Sequence, residues 1–209
     1  MLDMLEIGKV KIGAGFILFI AVWFYFDEDN LFLLFLLAAG IHETGHFICL
    51  RIFGGRAENI KLNLLGAVIK CDPNYRISYT GEIMTAIAGP MANIIAALCV
   101  SFFGAVYGER FYFLSGVCVI MGAFNLLPAM PLDGGRALYH AVCAARDPFC
   151  AAKVTGAVSK VLSMALLVTG AAILFYSGSN FSLLAVGAML AGMSFLRKGE
   201  EKAGSEFCG

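Results

Sequence analysis

Apolar runs recur along almost the whole chain, and they rule out an ordinary water-soluble fold. Ile12 to Phe26, Leu31 to Leu50, Ile83 to Tyr107, Phe111 to Leu127, Val161 to Tyr176 and Phe181 to Leu196 are each dominated by Leu, Ile, Phe, Ala and Val. Several fall short of the roughly 20 residues that cross a bilayer core, a difference that local thinning and snorkelling flanks absorb. Of 209 residues, 60% are hydrophobic and 14% charged, against about 45–50% and 25% in soluble domains, and the mean hydropathy is +0.82. A chain this small has no core large enough to hide so many apolar side chains, so lipid must cover them. The expected fold is an all-α polytopic membrane protein with about six transmembrane helices.

The charges test that count. With six spans, both termini and the segments Arg51 to Glu82 and Pro128 to Lys160 share one side, which then carries 14 of the 15 Lys and Arg residues; Arg110 is the exception. Cytoplasmic loops hold such an excess, so both termini are expected in the cytoplasm of a bacterial cytoplasmic-type membrane. A five-span arrangement would break the separation. The formal net charge is zero, which gives no field for a nucleic-acid partner. Seven cysteines with no CxxC pair read as packed, reduced residues rather than a disulfide framework or a cysteine zinc site. The N-terminus has acids before its lysines and no small-residue cleavage site, so a removable signal peptide is not expected.

Between the second and third spans, Ala57 to Pro73 reads AENIKLNLLGAVIKCDP, where polar and apolar residues partly alternate. That pattern predicts a short membrane-associated β-hairpin turning near Gly66. Residues 1–196 then form one six-span domain, and 197–209 form a short polar cytoplasmic tail.

The second apolar run ends in IHETGHF, Ile41 to Phe47. On a helix, His42 and His46 lie one turn apart on one face, so both imidazoles can reach one ion. Glu43 is offset by about 100° and suits a base that takes a proton from water activated by that ion. With three His and nine Glu in the chain, HExxH is expected by chance on the order of 0.002 times. A purely structural polar cluster would carry a carboxylate in the membrane at a cost of roughly 2.5–3.5 kcal/mol near its centre.

A catalytic zinc takes three protein ligands and keeps one open position. His140 and Asp133 are the candidates for the third, both within FNLLPAMPLDGGRALYH, Phe124 to His140. Two helical turns separate them, about 10 Å, so they do not easily share one ion. Asp133 also stands where it could simply cap a helix. Asn125, eight residues before Asp133, could offer its amide to a scissile carbonyl or an oxyanion.

HETGH in an early span, AGPMAN at Ala88 to Asn93 and NLLPAMPLDGGR at Asn125 to Arg136 together resemble the site-2 protease family of intramembrane zinc metalloproteases. The resemblance covers residues from about 10 to 196. It implies a single Zn²⁺ held by His42, His46 and Asp133, Glu43 as the catalytic base, and Asn125 as a polar residue near the site. The partners it implies are a membrane-tethered protein substrate, the lipid bilayer, and membrane inhibitor or regulator proteins. The compact plan and the NLLPxxPLDGG form are closest to the branch that processes a membrane-tethered sigma factor precursor in sporulation. That branch carries a nucleotide-sensing domain for which the segment after Leu196 has no room, so the resemblance does not extend to ATP control.

A helical substrate hides its carbonyls in i to i−4 bonds and must unwind before attack. The hairpin near Gly66 offers an edge on which an extended substrate could add as a strand. Two other classes fit parts of the pattern. A metal-binding transporter or inactive regulator would be expected to place ionisable groups across the bilayer, and the third, fifth and sixth spans hold almost none. A prenyl-protein type protease would need a distal Glu or His ligand in place of Asp133.

Overall fold

The computed structural model describes residues 4–7, 10–13, 23–25, 27, 31–55, 57–63, 66–71, 77–179 and 181–200. They divide into two compact units, residues 1–123 and 124–209. Helices dominate both. Among the described residues, Leu31–Ile52, Tyr79–Gly104 and Pro148–Ser177 are long and apolar enough to cross a membrane, and the chain is an integral membrane protein.

In the first unit, α1 (Leu31–Ile52) starts where Asp27 holds two of the backbone donors that open a helix. The Asp27 carboxylate accepts from the Leu31 N–H at 3.0 Å and the Phe32 N–H at 2.7 Å, placing an anion at the positive end of the helix. The helix stops at Gly54, whose φ of +82° suits a residue without Cβ. There the Gly54 N–H donates to the Arg51 carbonyl and the Gly55 N–H to the Leu50 carbonyl, a Schellman end. Ala38, His42, His46 and Leu50 are buried at four-residue spacing, while Leu33, Phe35, Leu37 and Ile48 are exposed. One stripe of α1 therefore faces protein and carries both histidines.

α2 (Tyr79–Tyr107) begins at Ser78, whose hydroxyl accepts from the Gly81 N–H, and it ends at Gly108, where φ is +100°. α1 and α2 approach closely because small residues line the seam. A Cβ on Gly45 would lie 2.6 Å from the Ala88 carbonyl oxygen and 2.7 Å from the Ala92 Cβ, the packing expected between helices in lipid. α3 (Glu109–Asn125) joins them through Gly122, where a Cβ would lie 2.9 Å from the Pro90 carbonyl oxygen. Ala38, Ala97 and Cys118 are the buried centre of this unit.

The same unit contains a four-stranded sheet in the order β1 (Met4–Ile7), β2 (Val10–Gly13), β3 (Ala57–Asn63), β4 (Gly66–Cys71). β1 and β2 pair antiparallel, β2 and β3 parallel, and β3 and β4 antiparallel with Asn63 opposite Gly66. The all-α expectation is corrected to this extent, and so is the start of the first span, because Ile12 lies in β2. Most of the expected first span, Ile12 to Phe26, lies outside the described residues.

The second unit starts at Phe124, and its helices are α4 (Asp133–Ala145), α5 (Pro148–Ser177) and α6 (Ser182–Glu200). α5 reaches further toward the N-terminus than its apolar run. Asp147 accepts from the Cys150 N–H at 2.8 Å and Pro148 occupies the first turn, both strong start signals. α5 and α6 meet at glycines: a Cβ on Gly170 would lie 2.7 Å from the Leu184 Cα, and one on Gly187 2.9 Å from the Leu167 nitrogen.

The connection between α3 and α4 folds back on the start of α4. A Cβ on Gly134 would meet the Leu127 carbonyl oxygen at 2.6 Å, and one on Gly135 the Ala129 carbonyl oxygen at 2.6 Å, which is why the sequence places two glycines after Asp133. Ala129 and Leu132 from this connection bury against Leu190 of α6. Along α5, Thr155, Ser159 and Ser163 form a buried row, each hydroxyl donating to the carbonyl four residues earlier. The Ser159 oxygen also accepts from the Met130 N–H at 2.9 Å, which braces the connection against α5. Ser159→Ala leaves that donor without its acceptor, and a lost partner of this kind costs about 1–3 kcal/mol. Thermal unfolding in detergent should show a lower midpoint for Ser159→Ala than for Ser163→Ala, which loses only a local helix bond; equal midpoints would remove the bracing role of Ser159.

Candidate metal centre

His42 and His46 are 6% exposed each, and their rings meet edge to face with centroids 4.7 Å apart. Their Nε2 atoms lie 3.1 Å apart. Two nitrogens on a tetrahedral zinc, each at 2.0–2.1 Å, are separated by about 3.3–3.4 Å, so this pair fits one small cation with little adjustment.

The tautomer of His46 follows from its partner. Its Nδ1 lies 2.7 Å from the Thr85 carbonyl oxygen, which can only accept, so Nδ1 carries the proton and Nε2 keeps the lone pair needed for a metal. Gly89 lets the ring sit there, because a Cβ at that position would overlap the His46 imidazole. Asn93 is wholly buried, with Nδ2 3.3 Å from His42 Nδ1. Thr85, Gly89 and Asn93 are spaced by four along α2, and that row faces the His42 and His46 row of α1. AGPMAN contains two members of the row; their partnership with the two rings could not be read without knowing which faces of α1 and α2 meet.

Glu43 follows His42 on α1 and is half-buried, next to the ring pair but off its stripe. It suits a proton acceptor better than a third ligand of the same ion.

Asp133 belongs to the second unit and is 7% exposed. It is the first residue of α4, and the capping position is held by Leu132, which makes no side-chain capping bond. Asp133 therefore stands one residue inside the capping position. Its carboxylate pairs with Arg136 at 3.6 Å. His140 lies two turns along α4 beside the Tyr139 ring, and Asn125 is the half-buried last residue of α3.

A family model described as Peptidase family M50 matches residues 30–109 and 104–169. The chain belongs to this family. This M50 chain is 30% identical over 174 residues to a protein named zinc metalloprotease from Methanocaldococcus jannaschii, covering 77% of this chain and 50% of that protein. It is 28% identical over 107 residues to stage IV sporulation protein FB of Bacillus subtilis, covering 50% of this chain and 37% of that protein. It thus spans about half the length of the first relative and less of the second. Among solved structures, a site-2 protease from Methanocaldococcus jannaschii matches with a TM-score of 0.66 and 25% identity, covering 94% of each chain.

Proposed function

We propose that this chain is an intramembrane zinc metalloprotease that hydrolyses a peptide bond in or near the membrane-embedded segment of a tethered protein. The observation that carries the reading is the pair of buried imidazoles with Nε2 atoms 3.1 Å apart, next to Glu43, in a chain of Peptidase family M50. The family assignment favours hydrolysis over the metal-transport alternative.

His42, His46 and the buried carboxylate of Asp133 supply two nitrogens and one oxygen, a donor set suited to catalytic zinc. When bound, zinc polarises the scissile carbonyl and lowers the pKa of water. Glu43 takes the proton of the attacking water and passes it to the departing amine. The Asn125 amide donates to the carbonyl oxygen as charge builds on it. A helical substrate must first unwind to expose a carbonyl, and the outer strand β4, opening at Gly66, offers backbone groups along which an extended segment pairs.

The reading extends to six spans within a 1–196 protease domain, a surface-associated β3–β4 hairpin, a 197–209 tail, and both termini in the cytoplasm, as the Lys and Arg distribution supports. A substrate like the tethered precursor of a sporulation transcription factor fits this topology, because its product would leave on the cytoplasmic side. The test is cleavage of a membrane-tethered model substrate by the purified chain in liposomes. Chelation should abolish cleavage and added Zn²⁺ should restore it, whereas cleavage that survives complete metal removal would overturn the reading.

A further inference from the structure

We infer that Asn93 is a positioning residue for His42, and that its amide changes from donor to acceptor when the ring pair takes a cation. The inference rests on the metal centre proposed above and concerns how one of its ligands is held.

Asn93 is fully buried in the middle of an apolar helix, where a side-chain amide needs partners to offset its desolvation. Its Nδ2 is 3.3 Å from His42 Nδ1, while its Oδ1 is buried with no hydrogen-bond partner among the described residues. The two ends of an amide have nearly the same shape, so the hydrogen bonds available decide which way it faces.

Proton bookkeeping across the pair gives two arrangements. In both, His46 Nδ1–H donates to the Thr85 carbonyl, and His46 Nε2 carries a lone pair. In the first arrangement, His42 holds its proton on Nε2 and donates it across the 3.1 Å gap to His46 Nε2. His42 Nδ1 is then an acceptor, and the Asn93 amide N–H donates to it.

In the second, a cation takes the lone pairs of both Nε2 atoms. His42 must then carry its proton on Nδ1, where the Asn93 NH₂ would confront it donor against donor. Turning the amide by about 180° places Oδ1 against Nδ1–H and gives the orphaned oxygen a donor. Each imidazole is neutral in both arrangements, so one proton moves from Nε2 to Nδ1 of His42 and none is released.

This outer partner is a neutral amide in the position where metal-bound histidines usually find a carboxylate, carbonyl or water, and losing such a partner typically costs 10–100-fold in metal affinity. Substitutions at Asn93 separate acceptor from donor. Asn93→Leu removes both, and Asn93→Asp keeps only an acceptor.

The test is Zn²⁺ affinity by chelator competition on purified wild type, Asn93→Leu and Asn93→Asp, with helical circular dichroism as the folding control. Asn93→Leu is expected to bind about 10–100-fold more weakly, with Asn93→Asp within a few-fold of wild type. Equal affinity for wild type and a folded Asn93→Leu would overturn the inference, as would Asn93→Asp binding more weakly than Asn93→Leu.

A measurement on the wild type alone covers variants that fail to fold. With only three histidines in the chain, ¹⁵N-histidine spectra can report the His42 tautomer, and the proton should sit on Nδ1 once Zn²⁺ is added. A proton remaining on Nε2 in the zinc-loaded protein would overturn the inference. If wild type binds no zinc that His46→Ala abolishes, the metal centre itself fails; if it binds and Asn93→Leu binds as tightly, only the role of Asn93 does.

Discussion

Replacing Glu43 with Gln is expected to abolish peptide cleavage while leaving zinc in place. The substitution preserves side-chain volume and a hydrogen-bonding oxygen, but a neutral amide does not take a proton from water. General acid–base groups contribute typically 10²–10⁴-fold, so the rate should fall by about that factor, equivalent to roughly 3–5 kcal/mol in the barrier. Because Glu43 sits off the stripe that carries His42 and His46, zinc per chain and zinc affinity should stay near wild type. Measuring metal content beside cleavage of the tethered substrate separates the outcomes. Loss of zinc together with activity would make Glu43 a ligand, and unchanged activity would end its role as base.

Asp133→Ala should have the opposite signature: cleavage is lost because the metal is lost. Removing an outer partner of a ligand costs about 10–100-fold in metal affinity, and removing a ligand itself should cost more, so zinc binding should weaken by more than about 100-fold. Asp133 is buried and is the first residue of α4, one past the capping position held by Leu132. Its pair with the half-exposed Arg136 at 3.6 Å contributes about 1 kcal/mol or less. Arg136→Ala should therefore leave zinc binding nearly intact while Asp133→Ala does not. Tight zinc binding in Asp133→Ala would mean that the third ligand lies elsewhere.

The histidine pair of the proposed metal centre was legible in the sequence where chemistry forces local spacing. Two histidines separated by four residues must share a helix face, and that face is the buried stripe of α1. Asp133 was legible as a candidate because two histidines leave a third ligand to be found and NLLPAMPLDGGR carries the family resemblance; the fold supplies the reason for the two glycines after it, since the connection from Leu126 to Met130 lies against them. The start of α5 was also within reach, because Asp147 and Pro148 are start signals that an apolar-run criterion passes over.

Strands β1 and β2 were not legible. Each is four residues long, too short for alternation to stand out, and β2 gains its place by pairing with β3 some fifty residues away. Asn93 was visible as a polar residue in a membrane helix, but not as a partner of His42. That relation depends on the way Gly45 and Gly89 let α1 and α2 close on one another, which no local pattern encodes.

The most direct test of the zinc site is X-ray absorption at the zinc edge on purified, cleavage-competent protein. A centre built from His42, His46 and Asp133 should show two imidazole nitrogens at about 2.0–2.1 Å, with the remaining coordination from oxygen at about 2.0–2.2 Å. Sulfur scattering at about 2.3 Å would assign the metal to cysteines instead, and would contradict that centre.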